Sequence, residues 1–350
     1  MSGADVTPSC PAPVRRHAKV QLAHGGGGRL MRELIEELFL PRLASGRPSR
    51  RHDSAVVELG AERIAFTTDS YVVHPIFFPG GDIGSLSVFG TVNDLAMAGA
   101  EPRFLSAGFI LEEGFPLDAL ERVAESMRAA ADAAGVALIT GDTKVVDRGK
   151  ADGLFVNTAG IGLVPAGVDI APDRVRPGDA VILSGDVGRH GIAILSVREG
   201  LEFAVPIESD CAPLSASVRA LVRDGVELHC LRDLTRGGLA SALNEIALDG
   251  AVGITIDEEL VPVLEPVAGA CELLGLDPLY VANEGRFVAI VPESDVERAL
   301  RALRTEPVSQ GAVIVGRVAD RERGRVVATN RIGGTRLLDL LSGEQLPRIC

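Results

Sequence analysis

Two successive stretches of apolar strands and amphipathic helices fill this chain, and a proline-rich break between Pro165 and Pro177 separates them. In each stretch, short apolar runs of strand length lead into a glycine-containing turn and then into apolar residues at helical spacing. A chain of 350 residues is also longer than one hydrophobic core usually serves. The sequence therefore predicts a mixed α/β protein of the α+β type with two related domains, although no exact internal repeat is visible.

Changes in composition set the expected domain boundaries. We expect an N-terminal arm with a glycine-rich loop, a first domain, a second domain and a C-terminal tail, at residues 1–28, 29–165, 172–330 and 331–350. The periodicity predicts strands at 55–59, 64–67, 103–111, 136–139, 154–164, 180–183, 279–282, 287–291 and 313–318. It predicts helices at 85–98, 117–134, 192–199, 239–248, 263–274 and 293–303.

Charge and composition exclude several functional classes. The formal charge of −13 argues against binding of nucleic acid, which needs clustered Lys and Arg, and an aromatic content of 4% without Trp argues against base stacking. The five cysteines are widely spaced and form no CxxC pair, which disfavours a disulfide framework. We find neither a secretory signal nor an apolar run long enough to cross a membrane. These features predict a cytoplasmic protein.

Four aspartates accompany the predicted strand ends and turns of the first half. Asp53, Asp69, Asp94 and Asp142 each lie beside Ser, Thr or Asn, and Lys144 follows the last of them. Carboxylates gathered at strand ends can form the oxygen cage that Mg²⁺ prefers together with phosphate groups. Each aspartate taken singly more often caps a turn or a helix. The four together favour a metal site.

Glycine-rich turns precede several predicted helices. Gly25, Gly26, Gly27 and Gly28 come directly before an amphipathic helix, where bare backbone N–H groups can bind phosphate, although a flexible hinge is the simpler reading. A second such turn runs from Gly188 to Gly191. A third, Gly237-Gly238, is flanked by Arg232 and Arg236. Both suit an anion, and both are equally consistent with ordinary helix starts.

The chain ends on a cysteine, Cys350, behind a proline that stiffens its approach. A thiol at a chain end is a nucleophile on a short tether, which suggests a substrate carried on a mobile arm. An accidental terminal cysteine is the simpler explanation when the tail is considered alone.

Seven motifs together resemble a known family. They are Thr67–Val73, Phe78–Gly84, Gly90–Ala96, Gly141–Val146, Thr235–Gly238, Asn283–Arg286 and the terminal Pro347–Cys350. They are similar to motifs of the HypE family of [NiFe]-hydrogenase maturation proteins, over almost the whole chain from about His24. The aspartate motifs alone would indicate only the wider superfamily of aminoimidazole ribonucleotide synthetase, selenophosphate synthetase and thiamine-monophosphate kinase. The terminal Pro-Arg-Ile-Cys sequence is the specific part.

The resemblance implies a fold and an activity. It implies two α/β domains of the aminoimidazole ribonucleotide synthetase type, a homodimer in which the first domains pair into a β-barrel, and a flexible tail. It implies that a HypF-type carbamoyltransferase loads the terminal thiol and that ATP with Mg²⁺ drives dehydration of the S-carboxamide to an S-cyanide. A HypC–HypD complex would then accept the cyanide as an iron ligand of [NiFe] hydrogenase.

The resemblance also implies roles for individual residues. Catalysis would involve Cys350 as substrate carrier, with Glu284 and Lys144 for proton transfer. Lys144 would need burial to act as a base. Nucleotide binding would involve Gly25, Gly26, Gly27, Gly28, Asp69, Thr91, Asn93, Asp94 and Asp142, and the metal ligands would be Asp53, Asp69, Asp94 and Asp142.

The chain departs from the family pattern at two positions. His52 precedes Asp53 where two acidic residues are usual, so a metal ligand is either missing or replaced by histidine. Arg189 stands where an acidic residue is common, and neither Arg189 nor His190 receives a role. Two other functions remain open: an ATP-dependent enzyme that acts on a free small molecule, and a non-enzymatic assembly scaffold.

Overall fold

The computed structural model of the protein describes residues 19–43, 50–201, 203, 205–341, 346 and 348–350. Residues 1–18 of the expected N-terminal arm, with Cys10, lie outside the described residues, as does Pro347 of the tail.

The first domain is built on a five-stranded sheet in the order β1-β2-β7-β5-β6. Its strands are β1 (Ala55–Leu59), β2 (Glu62–Tyr71), β5 (Glu101–Glu112), β6 (Ala137–Val146) and β7 (Leu154–Leu163), with a short hairpin of β3 (Phe77–Phe78) and β4 (Gly81–Asp82) outside the sheet. Neighbouring strands are antiparallel except β5 and β6, which run parallel across the helix that connects them.

Two helices cover one face of this sheet. Helix α3 (Ile83–Met97) starts at Asp82, whose carboxylate accepts hydrogen bonds from the first-turn N–H groups, and it is buried along most of its length. Helix α4 (Leu117–Ala134) is amphipathic and packs on α3, and Gly135 ends it in the left-handed conformation. The N-terminal segment forms α1 (Arg29–Glu33), a π-helical stretch (Leu34–Phe39) and α2 (Leu40–Leu43).

The opposite face of the first sheet carries large apolar side chains that are exposed in this chain. Phe66, Ile161 and Phe104 are cross-strand neighbours on β2, β7 and β5, and they are 46%, 40% and 47% exposed. We call the surface centred on these three residues the open face. Exposed apolar patches of this kind commonly mark sites of interaction.

The second domain has a seven-stranded sheet in the order β14-β13-β10-β12-β8-β11-β9. Its strands are β8 (Ala180–Leu183), β9 (Cys230–Asp233), β10 (Gly253–Asp257), β11 (Phe287–Val291), β12 (Val313–Ala319), β13 (Val326–Thr329) and β14 (Thr335–Leu338). Its helices are α5 (Arg189–Arg198), α6 (Ser215–Arg223), α7 (Gly238–Asp249), α8 (Glu265–Leu274) and α9 (Val296–Arg304). The central strands are buried on both faces because α7 packs on one side and α6 with α9 on the other.

The structure corrects several predicted elements. The strand expected to end at Ile139 continues to Val146, so Asp142 lies inside β6 instead of at a strand end. The strand expected at 279–282 is a short 3₁₀ turn, Pro278–Tyr280. Helix α6 and four strands of the second domain, β9, β10, β13 and β14, were not predicted, and neither was the β3–β4 hairpin of the first.

The start of the expected tail belongs to the second sheet. Strand β14 pairs antiparallel with β13, and Leu338 is fully buried. At the other end of the tail, Ile349 and Cys350 pack in the core of the first domain. The last residues therefore run from the second domain into the first. Among the described helices, none combines the length and apolar character of a membrane span.

We expect the contact between α3 and β2 to be intolerant of added volume. A Cβ at Gly90 would overlap the Tyr71 hydroxyl and lie 3.1 Å from its ring carbons. Gly90→Ala should therefore lower the free energy of unfolding by about 1–3 kcal/mol, measured by urea titration with circular dichroism. Gly269→Ala is the control, because its Cβ in helix α8 would meet no atom within 4 Å. That substitution should stabilise the protein by about 0.5–1 kcal/mol, and equal effects of the two changes would contradict the packing argument.

Candidate active site between the two domains

A cavity of about 630 Å³ lies between the two domains. Its walls come from α1 and the glycine run before it, from β2 and α3 of the first domain, and from the β9–α7 connection of the second. Glu284 and the C-terminal Cys350 complete the lining. The cavity therefore brings together residues that lie more than 300 positions apart in the sequence.

Three carboxylates converge on this cavity. An oxygen from each of Asp53, Asp94 and Asp233 lies within 4.8 Å of the other two. Asp53 precedes β1, Asp94 is on α3, and Asp233 ends β9, so both domains contribute. The Thr67 hydroxyl lies 2.8 Å from Asp94 Oδ2 and 3.0 Å from the Asp53 carbonyl oxygen, so its single proton bonds either acceptor and ties β2 to this group.

The electrostatics of this group favour a bound cation. Burial, together with the charges of Asp233 and Asp53, holds the pKa of Asp94 well above its usual range. Burial and the neighbouring Asp53 similarly raise the pKa of Asp233. Asp53 Oδ2 and Asp233 Oδ2 are buried without a hydrogen-bond partner among the described residues. Unpaired buried carboxylate oxygens that repel one another fit a divalent metal ion.

Arg232 and His52 border the carboxylates. Arg232 Nε lies 3.0 Å from Asp53 Oδ1, and its guanidinium also pairs with Glu245, so this arginine is already neutralised. Burial and the Arg232 charge lower the pKa of His52 to about 3. His52 is therefore neutral, and both its ring nitrogens lack hydrogen-bond partners among the described residues. It lies beside the group, with Nδ1 3.9 Å from Asp53 Oδ2.

The C-terminal tail is docked inside the cavity. Main-chain hydrogen bonds join the Val72 N–H to an α-carboxylate oxygen of Cys350 at 3.0 Å and the His74 N–H to the Arg348 carbonyl at 3.2 Å. Cys350 is 9% exposed, and burial raises the pKa of its thiol well above the usual range. The thiol therefore rests in its neutral form at the wall of the cavity.

Glu284 is a buried acid held in a rigid turn. Its N–H donates to Asp210 Oδ1 at 3.0 Å, and its carbonyl accepts from the Asn93 side chain at 2.9 Å. Next to it, the Asn283 carboxamide accepts from the Gly188 N–H at 2.7 Å. Burial and the charges of nearby aspartates raise the pKa of Glu284, and its Oε1 has no partner among the described residues. Such a group can accept or hold a proton near neutral pH.

Arg236 supplies positive charge beside the thiol. Its guanidinium donates to the Gly25 carbonyl at 3.3 Å, and it has no carboxylate partner among the residues that the structure describes. The nearby Cys350, Asp69 and Glu284 raise its pKa. Asp69 also lines the cavity, outside the three-carboxylate group.

The glycine run packs against this arginine. Gly27 adopts a left-handed conformation, φ +74°, with the Arg236 carbonyl 2.9 Å from the position of a Cβ. Gly28 approaches the Leu341 carbonyl more closely still. Gly27 and Gly28 line the large cavity, and Gly26 lines a small one beside it. Their role in phosphate binding stays a prediction.

Asp142 and Lys144 lie outside this cavity. Across the sheet, Asp69 pairs with Thr158, Thr158 with Ala107, and Ala107 with Gly141. Asp69 and Gly141 are therefore three strand spacings, or about 14 Å, apart. Asp142 is one residue further along and so belongs to the other face of the sheet. Lys144 is 72% exposed and lies 3.2 Å from Asp142. Within one chain, these two residues neither join the carboxylates nor become buried.

Thr91 and Asn93 also lie behind the cavity wall. The Thr91 hydroxyl bonds the Thr158 hydroxyl at 2.5 Å and the Tyr71 hydroxyl at 3.3 Å. Asn93 donates to the Ala212 carbonyl and accepts from the Leu214 N–H, which ties α3 to the second domain. In this structure both residues hold the wall of the cavity in place through hydrogen bonds and do not line the cavity themselves.

Sequence reasoning missed Asp233 and His190. Asp233 is the last residue of β9, a four-residue strand that is too short and too polar to be recognised from the sequence. The Thr-Arg-Gly-Gly sequence that follows shortly after it was the available signal, because the predicted ligands also lie beside glycine-containing turns. His190 is fully buried, and its position at the start of α5 gave no signal of contact with the tail.

The family profiles agree with the fold. Residues 51–164 match the AIR synthase related protein, N-terminal domain, and residues 176–329 match the C-terminal domain of the same family. The chain is 53% identical to the carbamoyl dehydratase HypE of Azotobacter vinelandii over 335 residues, which cover 96% of this chain and 98% of that protein.

Solved structures agree as well. A HypE structure in complex with ATP is 49% identical, has a TM-score of 0.80, and matches over 95% of this chain and all of its own. A chain of a HypE–HypF complex is 44% identical, has a TM-score of 0.83, and matches over 88% of this chain and 99% of its own. This chain therefore belongs to the HypE family of carbamoyl dehydratases, within the AIR synthase related proteins.

Proposed function

We propose that this chain uses ATP to dehydrate a carbamoyl group carried on its own Cys350, as a carbamoyl dehydratase of hydrogenase maturation. One observation carries the proposal: the terminal thiol is buried at the wall of the cavity that also holds three converging carboxylates and an unpaired glutamate. A thiol at this position can present a bound group to the cavity without leaving the protein. Family membership supplies the reaction class.

The chemistry needs an activated oxygen. In the S-carboxamide, the carbonyl oxygen is a poor leaving group, so it takes the terminal phosphoryl group of ATP and ADP is released. One N–H proton is lost as the oxygen is phosphorylated, and loss of the second N–H proton then forms the C≡N bond as the phosphate leaves, which gives S-cyanide, ADP and phosphate. Phosphoryl transfer depends mainly on positioning and charge neutralisation.

We assign the metal to Asp53, Asp94 and Asp233, with Asp69 of the same cavity as a further candidate ligand. Bound Mg²⁺ would neutralise phosphate charge there. Arg236 adds a cation on the thiol side of the cavity. Glu284 is the candidate base for the N–H proton because its Oε1 is buried and unpaired.

We further propose that a second copy of this chain covers the open face, so that the first domains pair into a β-barrel. The exposed Phe66, Ile161 and Phe104 support this arrangement. Asp142 and Lys144 are also exposed, on the edge strand of the same sheet. Pairing would bury them, and we propose that they then act in the cavity of the partner chain.

The partners follow from the position of the thiol. Because Cys350 is buried, the tail must leave the cavity to receive its carbamoyl group and again to deliver cyanide. We propose a HypF-type carbamoyltransferase as donor and a HypC–HypD complex as acceptor, in the cytoplasm.

The first test is the mass of the C-terminal peptide. After loading by a HypF-type partner with carbamoyl phosphate and ATP, followed by buffer exchange, we expect a carbamoyl adduct on Cys350 that loses one water only when Mg-ATP is restored. A chain truncated after Ile349 is the control and should show neither adduct. An unmodified tail beside undiminished ATP turnover would instead indicate a free small-molecule substrate.

The second test separates metal binding from stability. Asp94→Asn should raise the thermal midpoint of the metal-free protein by about 2–4 °C because it removes a carboxyl group whose ionisation is opposed by burial and by the neighbouring aspartates. It should also abolish the stabilisation that Mg²⁺ gives the parent protein, measured by calorimetry. Asp132→Asn, on the exposed side of α4, should change neither quantity. A Mg²⁺ response retained in Asp94→Asn would contradict the assignment.

The third test concerns the open face. Phe104→Glu should convert a dimer to a monomer, because a charge buried in an apolar interface costs several kcal/mol of association energy. Light scattering after size-exclusion chromatography measures the mass. Leu273→Glu is the matched control, since Leu273 is an exposed apolar residue on α8. A dimer that survives Phe104→Glu would place the interface elsewhere.

A further inference from the structure

His190 connects the second domain to the tail. Its side chain is fully buried at the start of α5. Nε2 lies 2.8 Å from the carbonyl oxygen of Ile349, and Nδ1 lies 2.8 Å from the Ser209 hydroxyl. Ile349 is the residue directly before the thiol that carries the substrate, and the reaction proposed above does not use His190.

The hydrogen-bond partners determine the tautomer of the His190 imidazole. A carbonyl oxygen can only accept, so Nε2 carries the proton and donates it to Ile349. The Ser209 hydroxyl already accepts from the Cys211 N–H at 3.1 Å and is free to donate to Nδ1. The result is a directed chain of hydrogen bonds from the Cys211 backbone through Ser209 and His190 to the tail. Burial lowers the pKa of His190, which agrees with a neutral ring.

We propose that His190 is a positioning residue that recognises the docked tail through the Ile349 carbonyl and so sets the place of the group on Cys350 against Glu284. This inference rests on the proposed dehydratase function. His190 Nε2 lies 3.9 Å from Glu284 Oε1, so the histidine that holds the tail borders the candidate base. The same ring packs edge-on against Phe78, with centroids 5.5 Å apart, which restricts its rotation.

Other contacts hold the tail, but they act at a different point. Arg198 donates to the carbonyls of His74 and Arg348 at 2.6 and 2.8 Å, and Arg348 pairs with Asp152. These contacts lie at Arg348, two residues before the thiol, where the groups are partly exposed, and the main-chain bond from the Val72 N–H holds Cys350 itself. The bond from His190 is buried and lies one residue before the thiol. When the tail leaves, the His190 N–H loses its partner, and this loss favours return of the tail.

The test uses two readouts on the full chain. The first is the rate at which iodoacetamide alkylates Cys350, which reports how often the buried thiol leaves the cavity. The peptide from Asp339 to Cys350, released by cleavage before Asp339, carries the label, since cleavage after Arg348 would leave only two residues. The second readout is the single-turnover rate of water loss from preloaded S-carboxamide after Mg-ATP is added.

His190→Leu should raise the alkylation rate about tenfold, the factor expected for one buried hydrogen bond. It should slow dehydration by about tenfold or more, because a small displacement of a reacting group sharply lowers the reaction rate. Loading of Cys350 by the carbamoyltransferase should not slow, since that step uses the undocked tail. His190→Gln can still donate to Ile349 and should remain within about threefold of the parent in both readouts.

His229→Leu is the matched control. His229 is also buried, but it bonds Asp179 at 2.7 Å and Glu227 at 3.2 Å, and neither of these partners belongs to the tail. It should lower the thermal midpoint without changing either readout. The inference is overturned if His190→Leu matches the parent in both rates, or if it changes only the thermal midpoint as His229→Leu does. A parent protein that loads carbamoyl but never loses water would instead refute the dehydratase function itself.

Discussion

The repulsion among three buried carboxylates is the constraint on which the rest of the site depends. Asp53, Asp94 and Asp233 lie within 4.8 Å of one another, and two of them keep oxygens without partners among the described residues. Such a group is unfavourable in isolation, so the surrounding structure has to hold it. The Thr67 hydroxyl and the Arg232 guanidinium do so from the two domains. On the proposed assignment, a cation that enters the cavity would relieve this repulsion and would be held by carboxylates from both domains.

The docked tail places the thiol of Cys350 at the cavity and controls its reactivity. The two domains each have a helix-covered sheet, yet the core of the first domain includes Ile349 and Cys350 from the far end of the chain. Main-chain bonds to Val72 and His74 hold this segment as a short extension beside β2. The terminal residues are therefore both a packing element and the carrier of the substrate. Since burial raises the pKa of the Cys350 thiol, docking protects it from unwanted reaction and undocking restores its reactivity.

Sequence reasoning recovered the two-domain fold and part of the site because those features depend on local patterns. Strand periodicity located β1, β2 and β7, and the aspartate motifs singled out Asp53 and Asp94, which the structure brings together. Asp142 was misplaced because β6 runs on to Val146, and a shift of one position puts its side chain on the other face of the sheet. Asp233 was missed because β9 has only four residues, and the contact between His190 and Ile349 joins residues 159 positions apart that no local pattern links.

The short distance between β14 and the chain end has a kinetic consequence. Twelve residues follow Leu338, which is enough for an arm of about 40 Å when extended. A group on that arm experiences an effective concentration in the millimolar range, whatever its abundance in the surroundings. The cavity therefore needs little intrinsic affinity for a carbamoyl group, and free competitors cannot displace it by mass action. On the proposed function, selectivity would rest with the partner that loads the thiol, and each loading would allow one turnover.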